Sequence, residues 1–317
     1  MFDITSLGEL LIDFTSLGQS ESKMSLFEQN PGGAPANVAA AMSKFGAKAA
    51  FIGKVGNDMH GIFLKGILEK EGINTEGLII DNQVFTTLAF VSLDEKGERK
   101  FSFARKPGAD TMLTKEEVNV KLIKESKIFH IGSLSLTDEP AKSATLYALI
   151  NAKKAGCTIS YDPNYREPLW NSKAEAVAAM QMVIPYVDVM KISDEETELL
   201  TSHKEPAKAA KELVEQGTSI VVVTLGAKGA YVCTKEGGII VPGFKSRVID
   251  TTGAGDSFWG GFLFKLIQGG KKPSELSLDE AATYAYFANA VASLCIEKRG
   301  GIMSMPNIAE VYARLSV

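Results

Sequence analysis

The stretch Ser219–Leu225 reads SIVVVTL, four consecutive β-branched apolar residues with no polar position between them. A strand with one wet face alternates apolar and polar side chains. An unbroken run suits a strand covered on both faces. Similar short runs recur outward from it at Asp3–Leu7, Ala49–Val55, Lys127–Gly132, Thr158–Tyr161 and Val187–Ile192. Helical patterns lie between them. Asn37–Phe45 carries Val38, Met42 and Phe45 near one face and stops at Gly46. Asp58–Glu71 opens on a capping-type residue and stops at Gly72, and Ala141–Ala155 stops at Gly156. Glycine after the last periodic residue is a helix stop signal. Strands alternating with helices predict a three-layer α/β/α domain around a mainly parallel sheet.

One region breaks the alternation. Thr86–Leu93 (TTLAFVSL) and Arg99–Arg105 (RKFSFAR) are β-type runs around the polar turn DEKGE, which predicts a hairpin. Leu10–Phe14 and Lys23–Leu26 are candidate strands beside it. The expectation is a single domain over residues 1–317 with a small β lid from segments of about 10–30 and 86–105. Arg105 and Lys106 end the second run and could face a ligand. Apolar Phe101 and Phe103 on open lid edges would be covered by pairing lids across a homodimer.

Composition excludes several classes. Lys plus Arg total 34 against 38 Asp plus Glu, a net charge of -4, with 45% hydrophobic and 23% charged residues. Disorder requires lower hydrophobicity and a larger net charge. Nucleic-acid binding usually brings a basic excess, and none is present. No apolar run is long enough to span a bilayer. The N-terminal MFDITSLGELLIDF has neither the basic start nor the cleavage site of a signal peptide. Cys157, Cys233 and Cys295 are far apart and odd in number, which suits reduced, buried thiols in a cytoplasmic protein. His60, His130 and His203 form no cluster for metal ligation, and Trp170 and Trp259 read as packing residues.

Chemistry concentrates in Asp250–Phe262, DTTGAGDSFWGGF. Gly253, Ala254 and Gly255 form a small-residue turn, and an apolar helical pattern follows through Phe258, Phe262 and Leu266. A glycine-rich turn opening a helix aims unpaired N–H groups at one point, with the positive end of the helix dipole behind them. That arrangement holds an anion, such as one gaining charge during phosphoryl transfer. Asp256 sits inside this cradle as a candidate general base for an attacking hydroxyl. The motif is not a Walker A loop, because no GxxxxGK[ST] is present. A second segment, GGAPANVAAAMSKFG from Gly32 to Gly46, lets the backbone approach a ligand at Gly32 and Gly33 and presents the Asn37 amide to neutral hydroxyls. Asp13, at a candidate strand end, could accept two sugar hydroxyl protons. TLGAKGA, from Thr224 to Ala230, follows the apolar run at the sheet edge where α/β ligands usually bind, a candidate phosphate loop.

With both segments in view, the chain resembles the ribokinase-like (PfkB-type) carbohydrate kinases over Asp3–Pro306. Within that family it looks most like the fructokinases, through GGAPANVA, AFIGKVGNDMHG, TLAFVSLDEKGERKFSFARKPGAD and DPNYR. The resemblance implies transfer of a phosphoryl group from ATP to O6 of fructose, with Mg2+ and a monovalent cation, K+, assisting. Asp256 matches the family's base, and the backbone of Gly253, Ala254 and Gly255 its anion hole. Asp13, Gly32, Gly33 and Asn37 match sugar contacts, and Arg105 a residue reaching the sugar or phosphate from the lid side. Asp162, Asn164 and Arg166 match a loop facing the phosphate region. Lys191, Thr224, Gly226 and Gly229 match nucleotide phosphate contacts, and Asn289 an adenine-pocket position. Asp250, Thr252 and Ser304, with backbone near Cys295 and Gly300, match a monovalent cation site. The family's N-x-x-E motif for magnesium departs here: KISDEETELL places Ser193 at the Asn position and keeps Glu196, which would act on magnesium through water.

Other sugars of the same family remain open alternatives: 2-keto-3-deoxygluconate, ribose or a riboside, or an already phosphorylated sugar. A catalytically silent sugar sensor on the same fold is another class, disfavoured by the intact Asp256.

Overall fold

The structure is a computed structural model. It describes residues 1–93 and 99–316, and for residues 92, 93 and 99–101 it describes the strand but not the side chains. The strands are β1 (Phe2–Leu7), β2 (Leu11–Gln19), β3 (Ser25–Gly32), β4 (Ala49–Gly56), β5 (Asn74–Asp81), β6 (Leu88–Leu93), β7 (Arg99–Ala104), β8 (Ser126–Ile131), β9 (Thr158–Tyr161), β10 (Val189–Ser193), β11 (Ile220–Thr224), β12 (Ala230–Thr234) and β13 (Gly237–Val241). They form two sheets. The large one has nine strands in the order β13-β12-β11-β10-β9-β8-β1-β4-β5. It is parallel from β11 to β5, and the pairings β11·β12 and β12·β13 at its other end are antiparallel. The hairpin turn expected at DEKGE lies outside the described residues.

The opening stretch explains the layering. Ile220 and Val222 point into one apolar core, and Val221 and Val223 into another on the opposite face. The first core is covered by the helices Ala34–Lys44, Ala254–Gly269 and Leu278–Cys295. The second is covered by Ala141–Ala155, Lys173–Val183 and Pro206–Glu215. With both faces dry, an alternating pattern has no use. The expected helix stops are realised: Gly46, Gly72 and Gly156 all take positive φ, where glycine carries no Cβ penalty. Asp58 caps its helix by accepting from the N–H groups of His60 and Gly61.

β1 sits between β4 on one side and β8 on the other, so the chain winds outward in both directions from it. The β1/β8 boundary is the topological switch point, where the loops leaving the strand ends diverge and open a crevice. The small sheet has four strands in the order β3-β2-β6-β7. β2 pairs with β3 and β6 with β7 in antiparallel fashion, and β2 joins β6 in parallel. Both N-terminal strands are longer than expected, and β3 runs straight into the Gly32–Gly33 turn.

Candidate active site

A cavity of about 200 Å³ opens at the switch point, beneath the small sheet. One wall is the turn Thr251–Gly255 with Asp256. Gly253 takes φ +76 at the N-cap of the helix Ala254–Gly269, and a Cβ there would press on Gly301. The first turn of this 16-residue helix lines the cavity, so its N–H groups and dipole bear on that point. The opposite wall comes from Gly33, Ala34 and Asn37, at the start of the helix Ala34–Lys44. Gly33 has φ +116, and a Cβ would run into the carbonyl of Glu9. Asp13 reaches in from β2, packed so closely over Gly32 that a side chain at position 32 would displace its carboxylate. Val91 and Phe103 of the small sheet, with Leu134, supply apolar surface.

Charge is arranged around Asp256. Its Oδ2 accepts from Asn37 Nδ2 at 2.7 Å, in a buried bond. Burial pushes its pKa up to about 6, helped by the charge of Asp162 and opposed by Lys191, the Asn37 hydrogen bond and Arg166. Lys191, on β10, donates to Asp162 Oδ2 at 2.6 Å. Burial pulls the Lys191 ammonium down, but Asp162, Glu196 and Asp256 outweigh it and hold it above the ordinary lysine range. Lys191 therefore stays a cation, and its Nζ would lie 2.9 Å from a Cβ on Gly255. An ammonium and a helix N-terminus thus bear on the same small volume as a carboxylate whose pKa lies near 6. Such a site can hold a transferring phosphoryl group and take a proton from an alcohol beside it. Asn164, at φ +48, and Arg166 complete the rim after β9.

Several expected site residues stand elsewhere. Arg105 does not line the cavity. It is buried behind the Leu134 wall, with Nε on Asp110 Oδ2, Nη1 on Thr137 Oγ1 and Nη2 on the Leu134 carbonyl, each at 2.8 Å. Asp110 also accepts from Thr87, so one carboxylate ties together the residues before β6 and after β7. Asp162 lies just beneath the cavity as the partner of Lys191. Glu196 has both oxygens engaged, Oε1 by the Tyr165 N–H and Oε2 by the N–H and hydroxyl of Ser193. It fastens the loop before Arg166 to the end of β10. Ser193, at the departed Asn position, works as a partner of that carboxylate.

Thr224, Gly226 and Gly229 lie outside the cavity, at the edge of the large sheet beyond β11. The Asn289 amide donates to the carbonyls of Val241 and Pro242, holding the chain after β13. Asp250 accepts from the N–H and hydroxyl of Thr252 through Oδ1 and from the Gly300 N–H through Oδ2, joining the cradle loop to the 300–304 loop. The atoms that could ligate a cation there, the Asp250 carboxylate, the Thr252 hydroxyl and main-chain carbonyls, are oxygens, which suits a hard cation. The Ser304 hydroxyl donates to the Gly301 carbonyl and sits 3.0 Å from the Cys295 thiol. A cation would therefore meet the main chain of Ser304 rather than its side chain.

Two residues escaped the sequence reading. Thr251 lines the cavity and was available as the neighbour of the glycines. Glu9 follows β1, is 2% exposed, and accepts from the Ala34 N–H at 2.9 Å. Burial pushes its pKa up to about 7. His130 is buried at the sheet centre, 3.0 Å from Ser160 Oγ, and burial with nearby Lys191 pushes its pKa down to about 3. Trp259 donates to the same Ser160 Oγ at 2.8 Å and packs on Phe262. His203 lies at the surface near Glu212, and His60 packs edge-on against Phe14.

Fructokinase-2 of Oryza sativa subsp. japonica is 43% identical over 317 residues, covering 99% of this chain and 94% of its own. The crystal structure of fructokinase from Xylella fastidiosa with bound ATP superposes with a TM-score of 0.88 at 33% identity, covering 99% of this chain and 98% of that one. A double mutant of fructokinase from Vibrio cholerae O395, in fructose, ADP and potassium ion bound form, gives 0.87 at 33% identity, again over 99% and 98%. The pfkB family carbohydrate kinase model matches residues 1–308, and the chain belongs to that family.

Proposed function

We propose that this protein is a fructokinase, transferring the γ-phosphoryl group of ATP to O6 of D-fructose. The observation that carries the reading is the buried convergence of Asp256, Lys191 and the first turn of the helix Ala254–Gly269 on one cavity. Similarity to fructokinases over nearly the full chain supports the choice of sugar.

In this account, fructose lies between Asp13, Gly33 and the Asn37 helix, with its primary hydroxyl at Asp256. Asp256 accepts the hydroxyl proton as the oxygen bonds to phosphorus and the bond to ADP breaks. The cradle N–H groups and the Lys191 ammonium hold the charge that develops on the transferring oxygens. Arg166 approaches the same group from the rim, and the Thr224–Gly229 loop receives the nucleotide. Asp250, Thr252 and the 300–304 loop would hold K+, and Glu196 would act on Mg2+ through water; when bound, the two cations neutralise phosphate charge and stiffen the cradle loop. Segments 10–30 and 86–105 serve as a lid that excludes water and limits futile ATP hydrolysis.

The lid's outer face carries Leu26, Phe27 and Phe90, at 44%, 42% and 36% exposure. A patch of that kind suits a homodimer formed lid to lid. Three buried free thiols suit a cytoplasmic enzyme.

The test is a coupled ADP-release assay with MgATP and potassium over fructose, glucose, mannose, ribose, 2-keto-3-deoxygluconate, a riboside and fructose 6-phosphate. Selective turnover of fructose is expected. Turnover of another sugar alone would keep the chemistry and refute the substrate. No turnover at all would favour a sugar sensor.

A further inference from the structure

The Asn37 amide faces the wrong way for a residue devoted to the sugar. Asn37 is 4% exposed and lies on the first turn of its helix, its own N–H donating to the Gly33 carbonyl at 2.9 Å. Glu9 fixes the same turn through Ala34. Asp256 is 8% exposed, on the first turn of the helix Ala254–Gly269. The two helices press together at Gly260, where a Cβ would come within 2.6 Å of Ala41 Cβ and 3.1 Å of the Val38 carbonyl. That close approach brings the Asn37 amide within 2.7 Å of Asp256 Oδ2. An ionised carboxylate only accepts, so the amide must turn its NH2 end to it. The other end, Asn37 Oδ1, is then buried with no hydrogen-bond partner.

We propose that Asn37 is the positioning residue of the base: its amide pins Asp256 Oδ2 and leaves Oδ1 as the oxygen that takes the sugar proton. The proposal rests on the phosphoryl-transfer reading above and adds a second duty to a residue assigned there to sugar. Asn37 Oδ1 is itself buried, with a Cβ on Gly301 falling 2.7 Å from it, so the tie from the amide to the base is fixed within the protein. A hydrogen bond to the charged form also favours that form, so the amide keeps Asp256 ionised against its burial. The other groups acting on Asp256 are Asp162, Lys191, Arg166 and the Cys295 thiol, and none of them is changed by a substitution at position 37.

The experiment follows the Asp256 carboxyl carbon by NMR in the sugar-free, full-length protein, assigned by its loss in Asp256→Asn. Wild type titrates near 6. Asn37→Leu, of similar size and without a donor, moves the midpoint up by about one pH unit. In turnover its kcat falls by about tenfold more below pH 6 than above pH 8, because the raised midpoint adds to any loss of alignment only where the base is protonated. Asn37→Ser, with a shorter donor, recovers part of the shift. In wild type the Asn37 side-chain NH2 resonances follow the same midpoint, a measurement that needs no variant to fold. An unmoved midpoint in Asn37→Leu, or amide resonances blind to the titration, overturns the proposal and leaves Asn37 as a sugar ligand alone. The titration is read without turnover, so a wild type inactive on every sugar would refute the fructokinase reading and not this one.

Discussion

The two sheets handle polarity in opposite ways. The central strands of the large sheet are dry on both faces, and the buried charges beside the cavity are paired: Lys191 with Asp162, and Glu196 with the backbone of Ser193 and Tyr165. The small sheet exposes aromatic surface outward, Phe14 stacked on Phe90 with centroids 5.3 Å apart and Phe27 edge-on to both. Toward the cavity it offers one carboxylate, Asp13, and apolar Val91 and Phe103. Asp256, on the first turn of the helix Ala254–Gly269, and Lys191, on β10, thus belong to the large α/β body, while the small sheet supplies mostly shape. A site held this way is preorganised for charge that appears only in the transition state.

The sharpest break in that contrast would come at the joint between the two sheets. Arg105 and Asp110 are both 2% exposed at their side chains, and Asp110 also holds Thr87. Removing one partner of a buried pair leaves the other uncompensated, so Arg105→Ala should cost roughly 3–5 kcal/mol in urea unfolding. Arg105→Lys, which cannot serve three partners with one planar fork, should fall between. A loss below about 1 kcal/mol, together with a large rise in KM for the sugar, would return Arg105 to the sugar pocket.

A middle-sized effect concerns the cost of the site. The Asp256 pKa is pushed up to about 6 in the folded chain, against 3.8 for an ordinary aspartate. A carboxyl raised on folding contributes its full share below the unfolded pKa and loses it as pH rises through the folded one. The difference of about two pH units corresponds to roughly 3 kcal/mol. Asp256→Asn should therefore gain stability over wild type between pH 4 and pH 7 and hold that gain above. Urea unfolding at pH 4, 6 and 8 measures it, and a pH-independent difference would contradict the burial account.

The smallest effect on fold stability is expected at the outer face of the small sheet. On the lid-to-lid dimer proposed above, Phe27→Ser should change monomer stability little and shift the protein toward monomer in sedimentation. A dimer unaffected by this change would place the interface elsewhere.

What could be read beforehand divides along the same line. The strands of the large sheet were legible because a doubly covered strand leaves a continuous apolar run, and the cradle because glycines before an acid have few other uses. β5, β12 and β13 were not singled out, because the edge strands β5 and β13 leave many positions partly or fully exposed and β12 and β13 are only five residues each. Arg105 showed only a positive charge at a strand end. Nothing in the chain order reveals that Leu134 and Thr137 fold back to saturate it, although Asp110 stands five residues away. Glu9 carries no local signal in the chain and is buried where it accepts from the Ala34 N–H. Asn37 was placed in the right cavity, but its partner lies 219 residues along the chain. Pairings of that kind are set by helix packing at Gly260 and not by local pattern.

The central claim is that Asp256 is the base of phosphoryl transfer to fructose. The most direct measurement is kcat of Asp256→Asn with fructose and MgATP, beside fructose binding by calorimetry. The account predicts a fall in kcat of about 10²–10⁴-fold with fructose affinity retained. Turnover within a few-fold of wild type, with fructose bound as before, would contradict it.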